Sequence, residues 1–180
     1  MKATGIVRRI DDLGRVVIPK EIRRTMRIRE GDPLEIYTEK DGEVIFKKYS
    51  PMGELADFSS QICDTLAKTS GHITAVCDRD TIISISGAPR KDLLERRISA
   101  ELEQLMEGRQ IYTKSQGETT LTAADGVEKY GVAVAAPILA EGDVMGCVMF
   151  LTTDAKETCG EVEQKLAQTV AAFLGRQMEH

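Results

Sequence analysis

The spacing of apolar residues changes several times along this chain, and each change marks an expected element. Spacings of three and four predict amphipathic helices over residues 51–69, 90–107 and 156–178. Short runs rich in β-branched residues predict strands between these helices. The predicted strands are residues 72–78, 81–87, 110–114, 119–122, 130–139 and 144–152. This order predicts a sheet with the first and last helices side by side on one face.

The first fifty residues contain shorter elements with more turn residues between them. Strands are expected at 5–10 and 15–18, separated by a turn at Leu13-Gly14. Pro19 favours the start of a helix over residues 20–26, since its fixed φ suits a first helical turn. The Asp41-Gly42 pair predicts a β-hairpin formed by residues 34–39 and 43–48.

Charge, residue types and period all change between residues 47 and 51, where Ser50-Pro51 is typical of a helix start. We therefore expect two domains, residues 1–50 and 51–180, in a protein of the α+β class. Four short strands and a helix of about two turns are too small to close a hydrophobic core alone. Oligomerisation is the remaining solution, with two copies pooling their strands into one barrel.

The net charge of −5 hides a division along the chain. Residues 1–50 contain 12 Lys and Arg against 9 Asp and Glu, a net +3, whereas residues 51–180 contain 12 against 20, a net −8. The first thirty residues alone carry a net +5, from 9 basic and 4 acidic residues. A basic domain fused to an acidic one indicates that the amino-terminal end binds a polyanion.

The chemistry-bearing residues argue against an enzyme. Four separated cysteines and two histidines offer neither a metal-ligand spacing nor a Ser-His-Asp set, and no phosphate-binding glycine motif occurs. We expect no metal and no enzymatic activity, and we expect buried thiols in a reducing compartment. With no apolar run near the ~20 residues that cross a bilayer and no signal-peptide pattern, the sequence predicts a cytoplasmic protein without a membrane partner.

Four motifs in the first fifty residues carry a resemblance to a known family. They are Thr4-Gly5-Ile6-Val7-Arg8, Asp12-Leu13-Gly14-Arg15-Val16-Val17-Ile18-Pro19, Glu21-Ile22-Arg23-Arg24 and Leu34-Glu35-Ile36-Tyr37. Together they resemble the AbrB-type swapped-hairpin DNA-binding domain of transition-state regulators from spore-forming bacteria. The resemblance implies that two chains interleave their hairpins into a β-barrel and bind double-stranded DNA. Carried over to this sequence, the DNA-binding residues are Arg8, Arg15, Arg23 and Arg24, with Lys2, Arg9 and Lys20 as weaker candidates.

Arginine suits that role because its fork of donors binds phosphate bidentately and also reads guanine edges. Each arginine also has a simpler interpretation as a solvated side chain, and Arg15 has Asp11 and Asp12 as nearby partners. A related swapped-hairpin group consists of antitoxins, which usually continue into a short disordered tail rather than a folded domain.

Residues 51–180 resemble a GAF domain in element order and in two segments, Ala135-Ala136-Pro137-Ile138-Leu139 and Gly142-Asp143-Val144-Met145-Gly146-Cys147-Val148. The resemblance implies either an unidentified small-molecule ligand beneath the polar segment 109–128 or a domain kept for assembly. No cofactor is identified. The apolar stripes of the helices at 51–69 and 156–178 offer a second oligomerisation surface, which with the barrel dimer gives a homotetramer.

The two resemblances together imply a nucleoid-associated activator or repressor of sporulation genes that acts in the forespore. The alternative is a sensory or scaffold protein, in which the barrel only oligomerises and the GAF-like domain binds a metabolite or a protein.

Overall fold

The computed structural model describes residues 5–179, apart from the side chain of Glu54. The chain divides into two compact units, one ending at Tyr49 and the other beginning at Ser50. No helix among these residues is both long enough and apolar enough to cross a membrane.

Unit 1, which ends at Tyr49, contains one helix and one hairpin between residues 5 and 49. Helix α1 spans Lys20–Met26 and ends where Arg27 adopts a left-handed conformation. Strands β1, Leu34–Thr38, and β2, Val44–Lys48, pair antiparallel. Gly42 takes a φ of 83° in the turn between them, which a glycine adopts without steric cost. The predictions of this helix and this hairpin are confirmed.

The predicted strands at residues 5–10 and 15–18 are wrong for the single chain. Neither segment is a strand, and the backbone bonds there only close a turn, from Asp11 N–H to the Arg15 carbonyl and from Gly14 N–H to the Asp11 carbonyl. A strand exists only when a neighbouring backbone completes its ladder. Among the residues described, the chain supplies no such neighbour to these two segments.

Unit 1 also leaves its apolar side chains in solvent. Between residues 5 and 49 Pro19 alone is buried. The exposed large apolar residues in this range are Ile6, Val7, Ile10, Leu13, Val16, Val17, Met26, Ile36, Tyr37, Val44 and Tyr49. Two of them, Val7 and Val17, are 89% and 71% exposed, which no isolated domain of this size favours. The unit therefore has no closed core of its own.

Unit 2, which begins at Ser50, is a six-stranded antiparallel sheet with helices on both faces. Its elements are α2 Pro51–Glu54, α3 Ala56–Ser70, β3 Ile73–Cys77, β4 Ile82–Ser86, α4 Arg90–Leu93, α5 Ala100–Glu107, β5 Tyr112–Thr113, β6 Thr122–Ala124, β7 Val127–Ala140, β8 Asp143–Thr152 and α6 Glu161–Gln177. The strand order is β4-β3-β8-β7-β5, and β6 pairs with β7.

Alternation along the strands builds a separate core on each face of this sheet. On one face the apolar side of α5, with Leu102 and Met106, packs over residues that include Cys147 and Met149. On the other face α3 and α6 pack together over Val148 and Phe150. First and last helices thus share a face, as the order of elements predicts.

Three helix predictions in unit 2 need correction. Residues 51–69 form two helices rather than one, because the chain makes a tight turn at Leu55, whose N–H donates to the Met52 carbonyl. This break accompanies complete burial of Met52. The last helix begins at Glu161 rather than at residue 156, because a turn from Asp154 precedes it and the Glu163 carboxylate accepts the Gly160 N–H at 2.8 Å.

The predicted helix at residues 90–107 is likewise two helices, α4 and α5. Between them the backbone pairs with β4, through Glu95 N–H to the Ile82 carbonyl and Ile82 N–H to the Arg96 carbonyl. Strand β4 is the edge of the sheet, and this segment satisfies the outer backbone groups of its first residue, Ile82. Helix α5 then begins at Ala100 and is capped by Ser99, whose hydroxyl accepts the Leu102 N–H at 3.0 Å.

All four cysteines are buried and free, as expected. Burial raises the pKa of Cys63 to about 12 and that of Cys159 to about 11, and it raises the pKa of the Cys77 thiol well above its ordinary range. These thiols stay protonated at neutral pH and are poor nucleophiles.

Candidate nucleic-acid interface

Unit 1 presents most of its described basic side chains to solvent. The predicted site residues that the structure describes are all exposed, and they are Arg8, Arg9, Arg15, Lys20, Arg23 and Arg24. The remaining candidate, Lys2, lies outside the described residues. Arg8 and Arg9 precede the first turn of the unit and Arg15 follows it.

Lys20, Arg23 and Arg24 share one flank of α1. They stand three and four residues apart, so their side chains project from neighbouring positions on the helix surface. Two hydrogen bonds close the carboxyl-terminal end of this helix. The Arg23 carbonyl accepts the Ile28 N–H at 2.8 Å, and the Arg24 carbonyl accepts the Arg27 N–H. The Lys48 ammonium of β2 donates to the Arg27 carbonyl at 3.0 Å, which ties the end of the helix to the hairpin.

Arg15 is held in place by Asp11. One carboxylate oxygen of Asp11 accepts the backbone N–H groups of Leu13 and Arg15, at 3.0 and 2.8 Å. The other oxygen accepts Nε–H of Arg15 at 2.8 Å. The hydrogen bonds from the backbone and then the side chain of Arg15 lower the pKa of Asp11, so the carboxylate is ionised at neutral pH.

The ion pair with Asp11 uses only one of the three nitrogens of the Arg15 guanidinium group, Nε. The hydrogen bond to Asp11 is made through Nε of Arg15, and the fork formed by the two terminal nitrogens is the part of a guanidinium group that suits phosphate. The side chain is 70% exposed despite the ion pair. Asp11 therefore orients the Arg15 side chain while leaving most of it exposed to solvent.

The bracing residues were missed as functional residues at the sequence level. Asp11 and Asp12 are equivalent in sequence, and only the turn selects Asp11 as the partner of Arg15. Asp32 is a second brace, since its carboxylate accepts the Arg29 N–H at 2.8 Å and lies 3.9 Å from the Lys48 ammonium. The sequence signal for both is an aspartate at the start or end of a tight turn that also contains glycine.

Part of the hydrophobic core of unit 2 lies on the face of the sheet that α5 covers. Ile98, Leu102, Met106, Ala124 and Tyr130 fill that face, and each is at most 3% exposed. Segment 109–128 itself contains β5 and β6. Strand β6 corresponds to the strand predicted at 119–122, but it begins three residues later, at Thr122. Among the described residues no group of three or more His, Cys, Asp or Glu side chains is placed to hold a metal ion.

Comparison with known proteins agrees with this division of the chain. The family model described as stage V sporulation protein T C-terminal, transcription factor, matches residues 54–179. A second model, described as antidote-toxin recognition MazE, bacterial antitoxin, matches residues 7–53.

The relatives that match by sequence include two proteins of Bacillus subtilis (strain 168). Stage V sporulation protein T is 52% identical over 179 residues, which cover 99% of each chain. Transition state regulatory protein AbrB is 56% identical over 63 residues, which cover 32% of this chain and 65% of AbrB. The amino-terminal resemblance to the AbrB type is thereby confirmed.

Among solved structures, the GAF domain from a phosphoenolpyruvate-protein phosphotransferase of Coxiella burnetii superposes with a TM-score of 0.55. The match is 15% identical and covers 70% of this chain and 83% of that one. At this identity the likeness concerns the fold alone, and it confirms the GAF-like fold of the second unit.

Proposed function

This chain belongs to the stage V sporulation protein T family, and we propose that it regulates sporulation genes by binding double-stranded DNA through the arginines of unit 1. The observation that carries this proposal is the exposed set Arg8, Arg15, Arg23 and Arg24 in a segment of AbrB-type sequence. Arg9 and Lys20 add charge beside them, and Lys2 remains a candidate contact. We place the protein on the nucleoid in the forespore cytoplasm, where it acts as activator or repressor without catalysing a reaction.

We propose that unit 1 functions as a swapped-hairpin dimer. Its exposed apolar residues and its two unpaired segments both need a partner with a complementary surface. A second copy of the unit supplies one, because a twofold interface uses the same self-complementary surface on both chains. Pairing would bury side chains such as Val7 and Val17 and would complete the missing ladders. The four main arginines become eight in the dimer, enough to contact several phosphates of one duplex.

Unit 2 contains a second surface suited to assembly, on the shared face of α3 and α6. Phe58 and Phe173 pack there with ring centroids 5.8 Å apart, yet Phe173 is 45% exposed and Val162 is 67% exposed. A groove of about 430 Å³ runs along α6 beside Val162, and another of about 280 Å³ lies beside Phe58. We propose that these helices join two dimers into a tetramer, and that unit 2 thereby modulates DNA binding.

A salt series tests the DNA-binding proposal against the scaffold alternative. The full chain is titrated onto a random-sequence duplex at several salt concentrations. Eight guanidinium groups that each neutralise a phosphate give a slope of log affinity on log salt of about −7, and we expect a slope steeper than about −4. Absence of binding at low salt, or a slope near zero, would favour a protein whose barrel only oligomerises.

The bracing of Arg15 predicts a difference between two neighbouring aspartates. Asp11→Ala and Asp12→Ala remove the same charge from the same turn, but only Asp11 accepts hydrogen bonds from Arg15. We expect Asp11→Ala to bind the duplex about 10-fold more weakly than Asp12→Ala, the equivalent of one charged hydrogen bond. Equal affinities of the two variants in the same titration would remove Asp11 from the site.

The two proposed interfaces predict different consequences for two apolar-to-charged substitutions. Val17→Asp places a carboxylate in the proposed barrel, and Phe173→Asp places one between the helices of unit 2, where an unpaired charge is costly. We expect each variant to sediment as a dimer and the unmodified protein as a tetramer. Val17→Asp should lose DNA binding, whereas Phe173→Asp should keep it. A Val17→Asp protein that remains tetrameric and binds DNA contradicts the swapped-hairpin dimer.

A further inference from the structure

We propose that unit 2 binds a small organic carboxylate in a cavity on the flank of α6 that faces away from α3. The cavity has a volume of about 370 Å³ and lies between the carboxyl-terminal half of α6, strand β7 and the residues that lead into β5. This volume falls in the range of small-molecule sites. It lies on the α6 side of the sheet, because its wall includes Ala136 and Ala171 from the core that α3 and α6 cover.

The lining combines an apolar floor with two cations at its edge. Ile111, Pro137 and Ala171 contribute to the floor, and Arg109 and Arg176 are both exposed at the cavity. Neither guanidinium group forms a hydrogen bond or ion pair with any other residue that the structure describes. Two such groups around an apolar hollow match a ligand with an anionic head and an apolar body.

The backbone at both arginines makes close local contacts. Arg109 has a φ of 54°, a strained value for a residue other than glycine, and its N–H donates to the Met106 carbonyl. Arg176 follows Gly175, where a Cβ atom would lie 2.1 Å from the Leu139 carbonyl oxygen. Helix α6 therefore rests directly on the backbone of β7, which fixes the position of Arg176 relative to the strand that lines the cavity.

The charge of the lining selects a monoanion. Glu179 also borders the cavity, and its carboxylate accepts the Glu141 N–H at 3.3 Å. Two arginines and one glutamate leave a net charge of +1 at the site. A carboxylate neutralises this charge, whereas a phosphate dianion overcompensates it beside Glu179.

Benzoate is a suitable probe, with benzyl alcohol as its neutral analogue and phenyl phosphate as its dianionic analogue. Binding to the full chain is measured by saturation-transfer NMR in the absence of DNA. We expect benzoate to bind with a Kd on the order of 1 mM, at least about 10-fold more tightly than either analogue. Equal binding of benzyl alcohol would overturn the role of the arginines, and tighter binding of phenyl phosphate would overturn the choice of a carboxylate.

Variants separate the cavity from general surface charge. Arg109→Gln combined with Arg176→Gln should weaken benzoate at least about 10-fold, and Glu179→Gln should strengthen it about threefold. The matched control is Arg96→Gln combined with Arg97→Gln, an exposed pair outside the cavity, which should leave the Kd unchanged. Benzoate that binds the cavity variant and the control alike, or that does not bind the unmodified protein at all, refutes the site.

Discussion

Replacing Arg23 and Arg24 together with alanine should weaken binding to duplex DNA at least about 100-fold. In the proposed dimer this change removes four guanidinium groups from one face. A hydrogen bond to a charged group is worth about 1.5–3 kcal/mol, so even two lost contacts account for that factor. The slope of log affinity on log salt should become shallower by up to about 3.6, at 0.9 per lost phosphate contact.

The change should leave the fold of unit 1 intact. Both side chains are exposed and alanine has the highest helix propensity, so α1 has no reason to unfold. Circular dichroism and sedimentation check this point. The matched control is Arg96→Ala combined with Arg97→Ala, which removes the same charge from an adjacent exposed pair in unit 2. If both double variants lose affinity equally, net charge rather than the α1 arginines governs binding.

Gly146→Ala should destabilise unit 2 by at least about 3 kcal/mol. A Cβ atom on Gly146 would lie 2.1 Å from the Cys77 carbonyl oxygen and 3.1 Å from the carbonyl carbon. Both residues are buried in the adjacent central strands β3 and β8, so the clash involves backbone that is held in a ladder. Such overpacking costs about 1–3 kcal/mol where side chains can move, and here the two strands themselves must separate.

Thermal unfolding followed by circular dichroism measures this effect. For a chain of this length each kcal/mol corresponds to about 2–4 °C, so we expect Tm to fall by at least about 6 °C. Gly53→Ala is the control, because a Cβ atom there meets only the Ser50 side chain at 3.6 Å. It should be neutral or slightly stabilising, since alanine favours α2. A Gly146→Ala protein with the Tm of the unmodified chain would show that β3 and β8 tolerate wider spacing.

Local signals in the sequence predict the bounds of α1 and the positions of several other elements. Pro19 and the spacing of Ile22 and Met26 predict α1 as it is observed, and Asp41-Gly42 predicts the hairpin of β1 and β2. Ser50 caps α2 as expected, with its hydroxyl accepting the Gly53 N–H. Each of these signals acts within a few residues, so these elements form without pairing to a distant part of the chain.

The apolar stripe at residues 90–107 shows where such signals are insufficient. Helical spacing relates Leu94, Ile98 and Leu102. Ile98, however, lies in an extended segment that forms isolated bridges with other parts of the sheet, and its side chain is buried in the core from there. Periodicity identifies which residues are apolar. It does not reveal that the backbone groups at the open edge of β4 need hydrogen-bond partners, which this segment supplies in place of a continuous helix. The same limit applies to residues 5–10 and 15–18, whose strand-like composition requires a neighbouring backbone.

Some features of the candidate sites can likewise be predicted from the sequence, and others depend on the tertiary structure. The exposed arginines of unit 1 and their motif are visible in the sequence, because an interface for a polyanion needs only an accumulation of cations on a surface. The choice of Asp11 over Asp12 as the brace of Arg15 depends on the path of one turn. The cavity beside Arg109 and Arg176 joins segments more than sixty residues apart, which no local pattern relates.

The sequence by itself determined the family, the division into a basic and an acidic unit, and the residue types available to bind DNA. These follow from composition and short-range spacing, which are properties of the unfolded chain as much as of the folded one. The tertiary structure alone decided where helices break, which side chains fill the core under α5, and which arginines border a cavity. Those outcomes depend on competition between distant backbone and side-chain groups for the same space and the same hydrogen bonds.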